Sequence, residues 1–319
     1  MSVLVCGIDE AGYGPILGPL VVASSIFLIN ENPEDNMWAR LQESVGKSKK
    51  GLGSRILVAD SKKAFNRKAK LNHLERTIRA FFNQLHLEKV TFSSLLPIVS
   101  DDLVAQVKKY PWYPLLYNTY LLEVNQVISD TLTENMKREG IEFVDFRCCC
   151  VDVAEFNRVV SFTKNKASIV ISSILKLVQQ IVALAAFFNA KKIIVFCDRL
   201  GGRKNYRDVL GTLPNIGIDI VEEEDKTSRY VLSMAKREMD IRFEVRADDK
   251  QLPVALASMA AKYVREKVMS HMNEYLTKLQ PGLKSTAGYW VDGHRFLRDL
   301  KDETYEKLGF TIQDIMRIR

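Results

Sequence analysis

Four acids stand where apolar runs of the chain end. The stretch VLVCGIDEAGYGPILGPLVVAS, residues 3–24, delivers Asp9 and Glu10 directly behind a buried-type strand. KKIIVFCD ends on Asp198, and DIRFEVRADD sets Asp248 between a strand and a helix. In open α/β sheets ligands sit outside the strand ends, so three separate strands can deliver four carboxylates to one rim. Two unit charges about 4 Å apart repel by roughly 4 kcal/mol at an effective dielectric near 20. Such a cluster has to be protonated, paired with Lys or Arg, or filled by hard divalent cations. Oxygen-only ligands with open positions suit Mg²⁺ or Mn²⁺, and two such ions roughly 3.5–4 Å apart can activate water and stabilise the leaving oxygen of a phosphodiester. Any one of these acids is more simply read as a strand or helix cap; the set of four, with its flanking motifs, points to chemistry.

The elements that would position them follow from the apolar pattern. Residues 3–8 read as a short strand and residues 19–29 as a longer one, and the Gly/Pro-rich turn between them predicts a hairpin. A helix is expected over residues 67–85, and residues 86–140 are less regular, with helical stretches and the aromatic cluster YPWYPLLYNTY. IEFVDFRCCCVDV reads as a long strand followed by one long helix to about residue 189, and KKIIVFCD as a strand of the buried parallel type. Three more strand-like runs, GIDIVEEE, SRYVLSMAK and DIRFEVRADD, precede helices over about 253–279 and again from 293. There is no internal repeat and no low-complexity linker. Strands first, then strand–helix alternation, then helices predict an α/β core with a mixed sheet and no clean domain boundary.

Composition narrows the class further. At 47% hydrophobic and 27% charged, the 319 residues suit a globular protein with a sizeable core. The most apolar stretch, residues 169–189, is broken by Lys176, Gln179 and Gln180 and is expected to be a buried amphipathic helix, so no membrane partner is expected. No charged segment followed by an apolar one opens the chain as a secretory signal would. Cys6, Cys148, Cys149, Cys150 and Cys197 show no zinc-ligand spacing and suit reduced, buried thiols of a cytoplasmic protein. The net charge of +7 is concentrated: residues 47–70 hold nine Lys or Arg against Asp60 alone, so this segment carries the whole excess. A concentrated basic patch on an otherwise balanced protein is an expected anion-binding surface, nucleic acid being the commonest partner.

These residues resemble those of the type 2 ribonucleases H (ribonuclease HII). GIDEAGYGPILGPLVVA is similar to that family's opening motif, and DSKK at residues 60–63 matches its DSKKL. Asp198 stands where the family has the Asp of its DG motif. ADDKQLPVALASMAAKYVREKVM looks like the segment leading into AASIIAKVxRDxxM, which puts the fourth acid on Asp248 and not Asp249. GYWVDGH keeps Gly288, Tyr289 and His294 of GYxTxxH. The resemblance implies an α/β, RNase H-like fold: a central mixed β-sheet flanked by helices, a C-terminal helical region over 253–319, and insertions, all in a single catalytic domain spanning 1–319. It also implies that Asp9, Glu10, Asp198 and Asp248 hold two ions, Mg²⁺ or Mn²⁺. Gly12 and Gly14 would let backbone amides approach a phosphate and a ribose 2′-OH. Lys62 and Lys63 would meet phosphates, and Tyr289 would stack at the cut. His294 is expected to be structural or capping.

Three departures qualify the resemblance. The arginine of the family's GRG is Tyr13 here, which removes a permanent cation aimed at a phosphate. The DG motif has become CDRLGGRKNYR, in which Arg199, Arg203, Lys204 and Arg207 make a new basic loop able to relocate that contact. Val291 replaces a threonine. The chain is also longer than a minimal member, with surplus near 86–140 and 205–240. In the first surplus segment Lys108, Lys109, Tyr110, Trp112, Tyr113, Tyr117 and Tyr120 interleave base and aromatic; self-packing onto the core is the expected use, a single-strand stacking platform the less favoured one. The expected function is a divalent-metal-dependent endonuclease acting on the RNA strand of RNA–DNA hybrids or on ribonucleotides embedded in DNA. Alternatives are a superfamily nuclease retargeted to another nucleic acid, and a nucleic-acid-binding homologue with an idle site.

Overall fold

The computed structural model describes residues 2–65, 71–85, 109–114, 119 and 125–318. Its strands are β1 (Val3–Ala11), β2 (Leu20–Ile29), β3 (Val45–Gly46), β4 (Ile56–Leu57), β5 (Ile141–Val151), β6 (Lys192–Asp198), β7 (Gly217–Glu223), β8 (Thr227–Met234) and β9 (Arg237–Glu244). Seven of them form one mixed sheet in the order β5-β2-β1-β6-β9-β8-β7, while β3 and β4 pair apart from it. The Gly/Pro turn makes β1 and β2 the expected antiparallel hairpin. KIIVFCD is parallel to both of its neighbours, β1 and β9, as its unbroken apolar run requires of a strand buried on both faces. The fold is therefore α/β with a central mixed sheet flanked by helices.

Period-two alternation decides which helix meets which side chain. Val3, Val5 and Ala11 of β1, with Val21 and Ala23 of β2, share a cluster with the helix Leu252–Leu279. Leu4, Cys6 and Ile8 share the opposite cluster with Val153–Thr163 and Ala167–Phe187. By length and composition Ala167–Phe187 is apolar enough to cross a membrane. Here Ile169, Val170, Ile174, Leu177, Val178 and Ile181 are buried against the sheet, while Lys176 and Gln179 point to solvent. None of the five cysteines is in a disulfide, and Cys6, Cys148 and Cys197 are buried.

Several boundaries differ from the sequence expectation for local reasons. The single long helix expected after β5 is two, because Lys164 adopts a left-handed φ of +54° and closes the first. The Asn165 side chain then accepts the Ala167 N–H at 2.9 Å and starts the second. The helix expected over 67–85 is described from Asn72 to Asn83, and residues 66–70 lie outside the described residues. The helix expected from 293 begins at Trp290, behind an extended Tyr289, and two short helices, Asp302–Leu308 and Ile312–Ile315, follow it. In the aromatic segment Tyr110, Trp112 and Tyr113 are buried. Tyr110 and Trp112 pack edge-on against Phe310, and the Tyr110 hydroxyl donates to the Asp314 carbonyl at 3.0 Å. These three rings are core, as self-packing required; Lys108, Tyr117 and Tyr120 lie outside the described residues.

The approach of Leu252–Leu279 to the sheet is the tightest contact. A Cβ added to Gly7 would stand 2.1 Å from the Pro253 carbonyl carbon, and Ser25, the β2 partner of Gly7, donates its hydroxyl to the Pro253 carbonyl at 2.7 Å. Backbone on backbone leaves nowhere for a methyl to go. Gly7→Ala is expected to cost about 3 kcal/mol by overpacking, read as a lowered melting temperature; an unchanged melt would show that the helix can slide.

Candidate active site

β1, β6 and β9 are parallel neighbours, so their carboxyl ends lie on one edge of the sheet. The register Ile8↔Cys197 carries Asp9 level with Asp198, and Asp198 in turn pairs with Glu244. Beyond Glu244 the chain reverses through Arg246, at φ +56°, into the short turn of helix Ala247–Lys250. The Ala247 N–H donates to Asp198 Oδ1 at 2.9 Å, which ties the end of β6 to the turn that carries Asp248. Three strand ends thus bring Asp9, Glu10, Asp198 and Asp248 into one electrostatic neighbourhood.

The acids feel each other. Burial, then the charges of Glu10 and Asp198, holds the Asp9 carboxyl well above the ordinary carboxylate range. Burial followed by Asp198 raises Glu10. Asp198 is raised by burial against the N–H groups of Ala247 and Arg199, which favour its charge. Asp248 is pushed up to about 6 by burial, then by Asp60, Asp198 and Asp249. None of the four takes a salt bridge among the described residues. Asp249 behaves in the opposite way: Lys63 binds it at 2.5 Å and lowers it. Of the two adjacent acids, Asp248 is therefore the one left uncompensated.

Among the described residues no group of three or more His, Cys, Asp or Glu forms a ready-made metal cage. The acids share a field and not yet a coordination sphere. Their chemistry nevertheless fits hard divalent cations: the donors are all oxygen, no fixed cation neutralises them, and each carboxyl is held away from its charged form.

The loop after β1 forms the adjoining wall. Gly12 has φ +91°, and a Cβ there would come within 2.6 Å of the Pro19 carbonyl and 2.7 Å of Arg265 Cδ, so only glycine fits. Gly14 has open space around it instead. The Gly288 carbonyl accepts the N–H groups of Ile16 and Leu17 at 2.8 and 3.2 Å, which docks Tyr289 beside this loop. Tyr13 and Tyr289 are 41% and 52% exposed, so neither ring is core. His294 bonds the Trp290 carbonyl at 3.0 Å and packs on that ring, a role within its own helix.

The basic residues divide. Lys62 is exposed, and its charge favours ionised Glu10 and Asp198; Lys63 is committed to Asp249. Arg199, the first cation of the new basic loop, is buried and spends its guanidinium on the carbonyls of Arg203, Glu224 and Asp225. It is thus a brace, and a phosphate contact falls to others. Lys204 pairs with Asp225, and Arg203 lies 5.5 Å over the Tyr206 ring. Arg67, Lys68 and Lys70 lie outside the described residues.

Sequence reasoning missed four neighbours. Asp60, noted in the sequence only as the lone acid of the basic segment and as part of DSKK, caps its own turn through the Lys62 N–H at 2.9 Å and adds a fifth negative charge felt by Asp198 and Asp248. Ser258 faces the Asp9 carboxyl and hydrogen-bonds Ser61, Oγ to Oγ, at 3.1 Å. Arg265 and Arg317, both buried, grip the glycine loop from beneath. An arginine inside the apolar run VALASMAAKYVRE was a readable signal for Arg265. The terminal MRIR gave none.

Fold and site define an α/β protein with an uncompensated acidic edge beside a glycine loop. No protein-family model matches the chain. A 40-residue stretch is 48% identical to ribonuclease HII of Chlorobium luteolum (strain DSM 273 / BCRC 81028 / 2530), the same family that the motifs resemble. That match covers 12% of this chain and 19% of the relative's length. Among solved structures, ribonuclease H2 from Pyrococcus horikoshii OT3 is similar at 15% identity and a TM-score of 0.46, over 98% of this chain and 92% of that one. Bst-RNase HIII in complex with Mn²⁺ is similar at 19% identity and 0.45, over 98% of this chain and 68% of that one.

Asp248 gives a signed test of the acidic edge. Its folded pKa lies above the ordinary aspartate value of 3.8, so the unfolded chain loses its proton first as pH rises. The resulting penalty is absent below about pH 4, grows to about pH 6 and is full above that. In metal-free buffer Asp248→Asn is expected to stabilise the protein at pH 7 by about 1 kcal/mol, after discounting for partial exposure, and to change nothing near pH 4. Denaturant titrations at the two pH values check this; a loss of stability at pH 7 would refute it.

Proposed function

We propose that the chain is a single-domain, cytoplasmic, divalent-metal-dependent endonuclease of the ribonuclease HII type. Its substrates would be RNA–DNA hybrids or ribonucleotides embedded in DNA. The observation that carries this reading is the convergence of four uncompensated carboxylates beside a loop that only glycine can build. A merely structural set of acids would be paired, because mutual repulsion without a ligand only destabilises the fold.

Asp9, Glu10, Asp198 and Asp248 would hold Mg²⁺ or Mn²⁺, as two ions. When bound, such ions supply an activated water and stabilise a leaving oxygen. The rest is the work of the chain. Buried Asp9 is fixed between Ser258 and the Glu10 N–H, which donates to it at 2.7 Å, and Asp198 is oriented by the Ala247 N–H. Gly12 and Gly14 give a sugar–phosphate backbone access to main-chain amides. Lys62 offers the free cation of the DSKK turn, with Lys63 and Lys204 available once their exposed acid partners yield, and Arg203 beside them in the basic loop. Tyr13 and Tyr289 present aromatic faces on the rim, where stacking onto a sugar or base takes over part of the binding that a guanidinium would supply.

Cleavage in Mg²⁺ and in Mn²⁺ on three labelled duplexes tests the proposal: one embedded ribonucleotide, a continuous RNA–DNA hybrid, and all DNA. A cut at RNA that vanishes in Asp9→Asn is the expected result. Silence on both RNA-containing duplexes would overturn it, and a cut on DNA alone would favour a retargeted nuclease. Independently of substrate, either ion should raise the melting temperature of the wild type, and Asp198→Asn should abolish the rise. A wild type indifferent to both ions would favour the idle, binding-only homologue.

A further inference from the structure

We propose that Arg317 is a positioning residue for substrate binding, through which the C-terminal segment sets the shape of the glycine loop. This rests on the reading above that the loop of residues 12–18 meets the substrate.

Arg317 is 2% exposed, two residues from the end of the chain. One guanidinium nitrogen donates to the Gly12 carbonyl at 2.6 Å and to Pro15 at 3.4 Å, and the other donates to Gly18. A single planar fork therefore collects the carbonyls at the beginning, middle and end of the loop. Arg265 supports the same loop from the long helix, with its guanidinium at 3.5 Å from the Leu17 carbonyl and 3.0 Å from Ala287. With these carbonyls turned inward onto buried cations, the N–H groups of Tyr13 and Gly14 are left without a protein acceptor among the described residues. That is the polarity an approaching anion or hydroxyl requires.

The main chain holds Arg317 in place. Its N–H donates to the Ile16 carbonyl at 2.9 Å, and Met316 bridges Leu17 in antiparallel fashion, so the tail adds a short rung to the loop. Asn157 clamps the other side, donating to the Met316 carbonyl at 2.9 Å and accepting the Ile318 N–H at 2.8 Å. Lys109 and Tyr110 of the aromatic segment fix Asp314 just upstream. Burial and the Arg265 charge disfavour the cation; buried Asp152 beneath the guanidinium partly offsets them, and the Phe156 ring lies at 4.7 Å. A part of the chain far from the acids in sequence thus sets the wall adjoining them. Lysine cannot reproduce the contact, because a point charge on a flexible stem does not span three carbonyls.

The test uses the full chain and three variants. Arg317→Met and Arg317→Lys remove the fork, and Asn157→Ala loosens the tail with Arg317 intact, which covers the case in which a buried methionine fails to fold. Amide hydrogen exchange of the metal-free protein is expected to quicken at residues 16–18 in all three, with β1 and β6 amides unchanged. On the ribonucleotide-containing duplex, KM is expected to rise about tenfold in Arg317→Met, with kcat within about twofold, as loss of a charge-assisted bond that orders a binding loop would give. Arg317→Lys should recover little of that rise. Unchanged loop exchange in every variant that folds overturns the proposal, as does a fall in kcat at constant KM. Should the wild type cut no duplex, the functional reading fails by itself, and exchange at residues 16–18 still decides whether the tail shapes the loop.

Discussion

The site depends on one close approach. The helix Leu252–Leu279 lies on the sheet with its Pro253 backbone against Gly7, at a separation that admits no side chain. That contact sets the height of the helix above β1, and every site residue near the helix inherits it. The entering turn carries Asp248 to the end of β6. One and a half turns on, Ser258 faces Asp9; two turns further, Arg265 reaches the glycine loop. Gly7 is not part of the acidic cluster, yet it sets how closely Asp248 and Ser258 approach the acids that the strands deliver.

Repulsion among the acids is the second constraint, and the fold answers it unevenly. Asp249, outside the cluster, is given Lys63; Asp240, deep in β9, is given Arg229 and Arg242, which hold it below the ordinary carboxylate range. Asp9, Glu10, Asp198 and Asp248 are given N–H groups, a hydroxyl, a hydrogen bond between the Asp9 and Glu10 carboxyls and the charge of Lys62, but no ion pair. Burial of an acid is not always answered by a cation, since buried Asp152 is held by the Val153 N–H and the Tyr113 hydroxyl; what sets this edge apart is that four such acids stand together. An edge built in this way binds protons or hard cations more strongly than its residue types alone would.

The sequence carried the acids and strands well because both signals are local. An apolar run ending in Asp or Glu announces a strand and its chemistry in the same few residues, and KIIVFCD could be read as parallel because nothing polar interrupts it. Gly12 was singled out for the close approach of main-chain amides to a ligand, and its φ of +91° is a conformation that glycine takes without strain. The helix break at Lys164 was not legible, since a residue entering the left-handed region leaves little mark when a long apolar pattern resumes behind it. Arg199 shows the limit of composition. It reads as one more cation in a basic loop and becomes a brace only because three carbonyls surround it in space.

Arg317 is the extreme of that limit. A terminal Met-Arg-Ile-Arg has the composition of a solvated tail, and its burial follows from contacts more than 290 residues away in the chain, with Gly12, Pro15 and Gly18. Those partners are carbonyls, which no sequence pattern distinguishes. Yet the loop they belong to cannot satisfy itself. Its glycines and prolines forgo helix and ladder bonding, so its carbonyls need donors from elsewhere, and buried carbonyls without donors are costly. A loop kept open on its outer face for a ligand must be held from its inner face, and two buried guanidiniums do this with the fewest side chains. The open outer face and the cationic inner support are thus two aspects of one requirement.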